Sequence, residues 1–352
     1  MNRNKDIKYW VDRVKDIKWD FNSHMTYDSF EEVYQKLKNE GAPIEDLVSN
    51  ADFMLQSYSA YSDALAFASD DLVSDMNFII SAMNICSKVV KYASKEIRAD
   101  KNFMLGVIEN GGNYLEFASD QLKADRDFVF FAIKKCGGAL EFVDEKLKAD
   151  KELVLEAIKQ GGWNFEFCAE GLRQDRDFVL EVVSEDGAAL EFVKNFQNDR
   201  EVVLTALKSY TRPTCPMAWA SEDLKSDRSF VLSAVKETGE ALYYVADEFR
   251  DDREVVLEAV RSKGYAIQYA SDNLLEDKTF LLHAIQINPA VEPFIIGPYD
   301  EDYELLTARE LVKNVNSGVI SQDEYNEKMK ILEEKVKRQD NVYRSWCHKT
   351  DK

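Results

Sequence analysis

Residues able to do covalent or acid–base chemistry are few in this chain, and they are scattered. Of 352 residues three are histidines, His24, His283 and His348. The five cysteines, Cys86, Cys136, Cys168, Cys215 and Cys347, never form a CxxC pair. A zinc site needs Cys or His ligands clustered at short spacing, and a thiol nucleophile needs a base beside it; neither pattern is present. HExxH, GxSxG and a phosphate-cradling glycine loop are also missing. Carboxylates are abundant, 65 Asp and Glu against 45 Lys and Arg. A general acid–base pair needs a unique pocket, however, and here the acids recur at a fixed interval. The expectation is a chain with no catalytic, cofactor-binding or metal-ligating residues. The alternative from another class is an enzyme with its site in a terminal segment.

The interval is visible in "ADRDFV" (Ala124–Val129), which returns as "ADKELV" (Ala149–Val154) and "QDRDFV" (Gln174–Val179). Repeats aligned on this motif start at Ser49, Ser74, Ala99, Ala124, Ala149, Gln174, Asn198, Ser226, Asp251 and Glu276, most of them 25 residues long. Position 2 is Asp in nine of the ten and Asn50 in the first. Such residues cap a helix by accepting a free backbone N–H two or three residues on. Apolar residues at positions 5, 6, 7, 9 and 10, as in Phe128, Val129, Phe130, Ala132 and Ile133, cover an arc of roughly 200° at about 100° per residue. A helix that apolar must be packed on both sides. Position 14 is glycine in most repeats (Gly112, Gly137, Gly162, Gly187, Gly239, Gly264) and is expected to end the helix in a left-handed conformation. A second helix of about ten residues follows, with Leu115, Leu140, Phe165, Leu190 and Leu242 at position 17 and an aromatic at position 19 wherever the repeat reaches it. Neither helix buries its apolar face alone; stacking does. The predicted fold is all-α, an α-solenoid of about ten two-helix repeats.

Three features of the repeat suggest a binding surface. Position 3 is Lys or Arg in eight repeats, from Lys101 and Arg126 to Arg253 and Lys278. Because acids stand at positions 2 and 4, a ladder of ion pairs between repeats is expected here, and a grip on an anionic ligand is the alternative. The second helix carries an acidic ridge: Glu116, Glu141, Glu166 and Glu191 at position 18, with Asp120, Glu145 and Glu170 among the acids at position 22. On a continuous helix these positions share a face. A solvated surface and a docking strip for a basic partner are both open. In the repeat from Asn198, "SYTRPTCPMAW" (Ser209–Trp219) replaces the glycine turn. Insertions of this type map to loops, often on the binding face, so Tyr210, Arg212 and Cys215 are candidate contacts. Phe131, apolar at a position usually polar, is a candidate exposed anchor.

The pattern D-[RK]-x-[FV]-V-L-x-A-[VI]…G-x-A-L-x-[FY]-A-x-x-x-L, running from about Ser49 to Ile295, resembles the bacterial repeat of domain of unknown function family 4116. The resemblance implies a helical repeat fold and brings no activity. Near the C-terminus Gly318–Tyr325 resembles the G-[VI]-I-[ST]-x-x-E-[FY] core of the short C-terminal domain appended to many bacterial proteins. That likeness implies a small assembly or docking module, with self-association among its uses; a plain end-cap is the other reading.

The ends differ from the repeats. Residues 1–48 are expected to form a helical cap, with a stripe at Trp10, Val14, Ile17 and Phe21 and a Ser29…Glu32 capping box closed by Gly41. Residues 49–298 form the repeat array, and residues 299–352 a helical hairpin turning at Gly318 with a Ser321…Glu324 capping box. No run approaches the ~20 apolar residues of a membrane span, and no secretory signal is visible. Unpaired cysteines fit a reducing cytoplasm, or a host cytosol if the chain is a bacterial or phage effector. Net charge is −20; residues 1–48 and 300–352 each carry −2, which leaves −16 between them. Such a surface repels phosphate backbones and attracts basic proteins. The expected role is a non-enzymatic interaction scaffold for a basic protein, without direct nucleic-acid or membrane binding. A nucleic-acid-mimicking inhibitor of a basic protein is the variant reading.

Overall fold

The computed structural model describes residues 6–18, 29–109, 112–211, 214–295 and 303–350. Among them every regular element is an α-helix or a 3-10 helix. Two compact units are distinguished, Met1–Gln160 and Gly161–Lys352.

The first unit begins with helices Ile7–Lys18, Phe30–Asn39 and Ile44–Val48. Trp10, Val14 and Ile17 form a buried stripe; Phe21 lies outside the described residues. Gly41 adopts a left-handed φ of 81° just past the second helix. The expected capping box does not form, because Ser29 makes no side-chain cap. The Phe30 N–H donates instead to the Asp63 carboxylate, at 3.0 and 3.1 Å. The repeat helices follow as Ala51–Ala60, Met76–Met83, Lys101–Glu109, Arg126–Lys135 and Lys151–Ile158. In the second unit they are Arg176–Glu185, Arg200–Ser209, Arg228–Glu237, Arg253–Ser262 and Lys278–Ile287. Helices Tyr303–Asn316 and Gln322–Thr350 close the chain.

Each repeat helix starts where its position-2 side chain accepts backbone N–H groups. Asp125 accepts from Phe128, Asp175 from Phe178, and Asp199 from Glu201 and Val202. Positions 5, 6, 9 and 10 are then buried, as at Phe178, Val179, Val182 and Val183, all 0% exposed. Removing a ring such as Phe178 would cost about 3–5 kcal/mol through lost transfer energy and the cavity left behind.

The helix ends differently from expectation. Position 13 turns extended (Cys136 φ −155°, Asp186 φ −146°, Lys263 φ −145°), and the glycine after it opens a 3-10 segment. Among the described glycines a positive φ occurs only at Gly41, Gly161 and Gly318. Position 14 is glycine for another reason. A Cβ on Gly187 would overlap the Ala206 carbonyl oxygen, and one on Gly239 would overlap that of Ala259. Both alanines occupy position 9 of the following repeat. The missing side chain lets the next helix touch the backbone.

The second half of the repeat is not one helix of ten residues. It is a 3-10 segment, as in Gly137–Phe142, Gly187–Phe192 and Gly264–Tyr269, then an extended residue and a short helix, as in Asp120–Lys123, Glu222–Lys225 and Asp272–Leu275. With three residues per turn, positions 14, 17 and 20 share one face, and Gly187, Leu190 and Val193 are accordingly buried. The break follows from a backbone bond. At position 21 the Ser94 N–H donates to the Val73 carbonyl of the preceding repeat (2.8 Å), as do Ser119 to Arg98 (3.0 Å), Asp144 to Lys123 (3.1 Å), Ser221 to Gln197 (2.8 Å), Ala246 to Lys225 (3.1 Å) and Ser271 to Arg250 (2.8 Å). A continuous α-helix would spend that N–H on its own carbonyl four residues back. Where position 21 is serine its Oγ also caps the short helix, as Ser119 does for Leu122 at 3.4 Å.

Candidate partner-binding face

The position-3 cations form the ladder. In the first unit Lys101 reaches Asp125 at 2.5 Å, and Arg126 reaches Asp150 at 2.7 Å and Glu152 at 2.5 Å. In the second, Arg176 holds Asp199 and Glu201 at 2.6 and 2.8 Å, and Arg228 holds Asp252 and Glu254 at 2.8 and 2.6 Å. Arg200 pairs with Asp227 at 2.7 Å and Arg253 pairs with Asp277. Both arginines also lie 5.2 Å from the ring centroid of the next repeat's phenylalanine, Phe230 and Phe280. Each cation thus joins the helix cap that follows it. The pairing draws protons off the caps: Asp199 is held below its ordinary pKa chiefly by the hydrogen bond from Arg176, with burial opposing and the Val202 N–H assisting. These cations are engaged between repeats, which leaves little for an anionic ligand.

The acidic ridge divides into two rows with different environments. The position-22 carboxylates lie at or just before the start of the short helices and turn toward a cation three residues on. Glu145 pairs with Lys148 at 2.7 Å, Glu170 with Arg173 at 2.8 Å and Glu222 with Lys225 at 2.9 Å. Gln174 first, and Arg173 with it, lowers the pKa of Glu170. These position-25 cations have a structural role that the repeat pattern alone does not point to. Besides the ion pair, Arg173 donates to the Glu166 carbonyl at 2.9 Å, Lys225 to that of Ala218 at 3.1 Å and Arg250 to that of Tyr243 at 3.2 Å. They close the 3-10 segment at position 18. A Lys or Arg recurring two residues before the capping Asp is the legible signal.

Glu116, Glu141, Glu166 and Glu191 at position 18 are exposed, as is Asp120 at the start of its short helix. Beside each position-18 glutamate stands a half-buried aromatic at position 19, Phe117, Phe142, Phe167 or Phe192. In the second unit Glu166, Glu170 and Glu191 converge with Arg173, Lys194 and Phe192 around a cleft of about 440 Å³. Three carboxylates, two cations and an aromatic edge thus share its lining.

In the insertion, Cys215, Pro216 and Met217 are buried. Cys215 is 3% exposed, and burial pushes its thiol up to about 12. Tyr210 is half-buried, and its hydroxyl donates to Glu240 at 2.5 Å, where Tyr265 also donates. Cys215 therefore belongs to the core, and Tyr210 is tied to the Glu240 carboxylate of the next repeat. Arg212 lies outside the described residues. Phe131 is half-buried, with the Lys135 ammonium 5.4 Å from its ring centroid, so it is no free-standing anchor. Among the described residues no group of three or more His, Cys, Asp or Glu could hold a metal ion, and no helix is long and apolar enough to cross a membrane.

Short helices stacked at a 25-residue period, with both halves of each repeat burying apolar residues, define an all-α repeat solenoid. The chain belongs to the family described as Domain of unknown function (DUF4116), whose model matches residues 50–98, 100–148, 125–173, 150–195, 175–213, 217–250 and 252–294. Overlapping matches offset by 25 residues show that the family's unit spans two of the repeats described above. No curated protein matches the chain, and no solved structure does.

Proposed function

We propose that the chain is a non-enzymatic protein–protein interaction scaffold whose acidic face recruits a basic protein. The observation that carries this reading is the exposure of Glu116 and Glu141 in the first unit and of Glu166 and Glu191 in the second. Neighbouring carboxylates are engaged in the ladder and in pairs three residues apart, whereas this row faces water. A charge of −16 over the repeats adds a long-range field that draws in cations and repels phosphate backbones. The setting of this role is a reducing cytoplasm.

The C-terminal hairpin fits an end-cap on the last repeat better than a free docking module. Tyr325 is 1% exposed and donates to the Ile285 carbonyl at 3.2 Å. Glu304, 7% exposed, receives Lys278 of that repeat at 2.7 Å and Lys335 at 3.1 Å. Glu304 therefore takes the place in the ladder that the next capping aspartate would fill.

The test is affinity capture with the wild-type chain and with a variant carrying Glu116→Lys, Glu141→Lys, Glu166→Lys and Glu191→Lys. The expected partner is basic, is released as salt approaches about 1 M, where the Debye length is ~3 Å, and is lost from the variant. The same partner retained by the variant would refute the reading. Displacement by duplex DNA would mark the partner as a nucleic-acid-binding protein and the scaffold as its mimic-type inhibitor.

A further inference from the structure

Position 18, glutamate in four successive repeats, is Tyr243 in the repeat from Ser226. Its side chain is 52% exposed, among the most exposed large apolar groups in the second unit. The ring meets Tyr244 edge-on at 4.9 Å and Tyr269 at 5.2 Å between centroids. The Arg250 guanidinium, held by its bond to the Tyr243 carbonyl, lies 6.0 Å from the Tyr243 ring centroid. Three tyrosines thus cluster with one ring half in water, and tyrosine is enriched among residues that dominate binding energy.

The surroundings decide what covers it. Asp247 has a side chain 96% exposed and meets Arg250 only at 3.5 Å; Glu248 and Asp272 are exposed as well. An apolar occupant would strip water from these carboxylates without replacing it, and an anionic one would be repelled. A guanidinium satisfies both parts, since its flat face stacks on an aromatic ring and its edge donates to a carboxylate. Arg250 already displays the first of these contacts within the chain.

We propose that Tyr243, Tyr244 and Tyr269 form a platform for an arginine side chain of the basic partner, which stacks on Tyr243 beside the Asp247 carboxylate. The proposal rests on the scaffold reading for the partner's charge, and it adds a contact that salt screens less than an ion pair.

The probe is a fluorescein-labelled nonapeptide of three Arg-Gly-Gly repeats, with its neutral citrulline counterpart as control. Tyr243→Ala should weaken the arginine peptide by roughly two- to fivefold. Tyr243→Phe, which keeps the ring, should bind as the wild type does, and the citrulline peptide should bind far more weakly. Circular dichroism of both variants guards against misfolding. Equal affinity for wild type and Tyr243→Ala would overturn the proposal, as would no binding of the arginine peptide to the wild type. If the four Glu→Lys changes abolish binding while Tyr243→Ala does not, the platform falls and the acidic face stands. The reverse pattern removes the acidic face and leaves the platform.

Discussion

Arg176 and Asp199 meet across a repeat boundary, Nε 2.6 Å from Oδ2, while Oδ1 of the same aspartate accepts the N–H groups of Glu201 and Val202. One carboxylate therefore starts its own helix and ties it to the repeat before. The same double role falls to Asp125, Asp150, Asp227, Asp252 and Asp277.

This double duty makes the fold sensitive to acid. Asp125 is held below the usual carboxylate range chiefly by Lys101, and Asp199 chiefly by Arg176. Glu304 is lowered to about 2, chiefly by Lys278. A depressed folded pKa stabilises fully above the unfolded value, about 3.9–4.3 for these side chains, and that stability is lost as pH falls through the folded value. Urea midpoints should accordingly change little between about pH 7 and 5 and drop below about pH 4. A midpoint that rises on acidification would contradict the assignment.

Two glycines should respond to alanine in opposite ways. Gly187→Ala places a Cβ against the Ala206 carbonyl and should destabilise by about 2 kcal/mol or more, since overpacking forces backbone shifts. Gly106 lies inside helix Lys101–Glu109, and a Cβ added there would meet nothing within 4 Å. Gly106→Ala should stabilise by about 0.5–1 kcal/mol through helix propensity. Denaturant unfolding of both variants reads the difference, and equal effects would remove the close-approach explanation.

The thiols should behave as core atoms. Cys168 and Cys215 are each 3% exposed, and burial pushes both up to about 12. Iodoacetamide near pH 7.5 should leave them unmodified in the native protein and label them once urea unfolds it, as read by mass spectrometry. Rapid native labelling of Cys215 would restore the insertion as a presented loop.

Much of this is legible in the sequence, and the limits have physical causes. Capping aspartates and the apolar positions after them are local signals, so the helix starts and the stacked core can be read directly. The position-3 ladder is equally readable, because cation and acid recur at one period. Gly187 is visible as a helix stop, but its contact with Ala206 belongs to the next repeat, and no local rule separates that need from a left-handed turn. The split second half is hidden similarly: the position-21 N–H bonds to the preceding repeat, which removes it from any local helix. Cys215 and Tyr210 mislead because proline and polar residues read as a surface loop, whereas Pro216 and Met217 pack inward. The acidic ridge reads as one strip until Arg173 and Lys225 are placed, and they engage only its position-22 half.

The hairpin's hold on the last repeat can be tested at Tyr325. Its hydroxyl satisfies the Ile285 carbonyl near the end of helix Lys278–Ile287, one of the groups a helix terminus leaves without a partner. Tyr325→Phe should cost about 1 kcal/mol, and Tyr325→Ala about 3–5 kcal/mol, with faster tryptic cleavage between Lys328 and Lys337. Unchanged cleavage in Tyr325→Ala would contradict docking of the hairpin.

The most direct measurement of a repeat completed by its neighbour is residue-resolved amide hydrogen exchange. Protection should recur at a 25-residue period, strong at positions 6, 9 and 10 of each long helix. In six repeats one further protected amide should appear at position 21 (Ser94, Ser119, Asp144, Ser221, Ala246 and Ser271), each bonded to the repeat before it. Fast exchange at all six of these amides, or protection without that period, would contradict the stacked-repeat architecture on which the binding face depends.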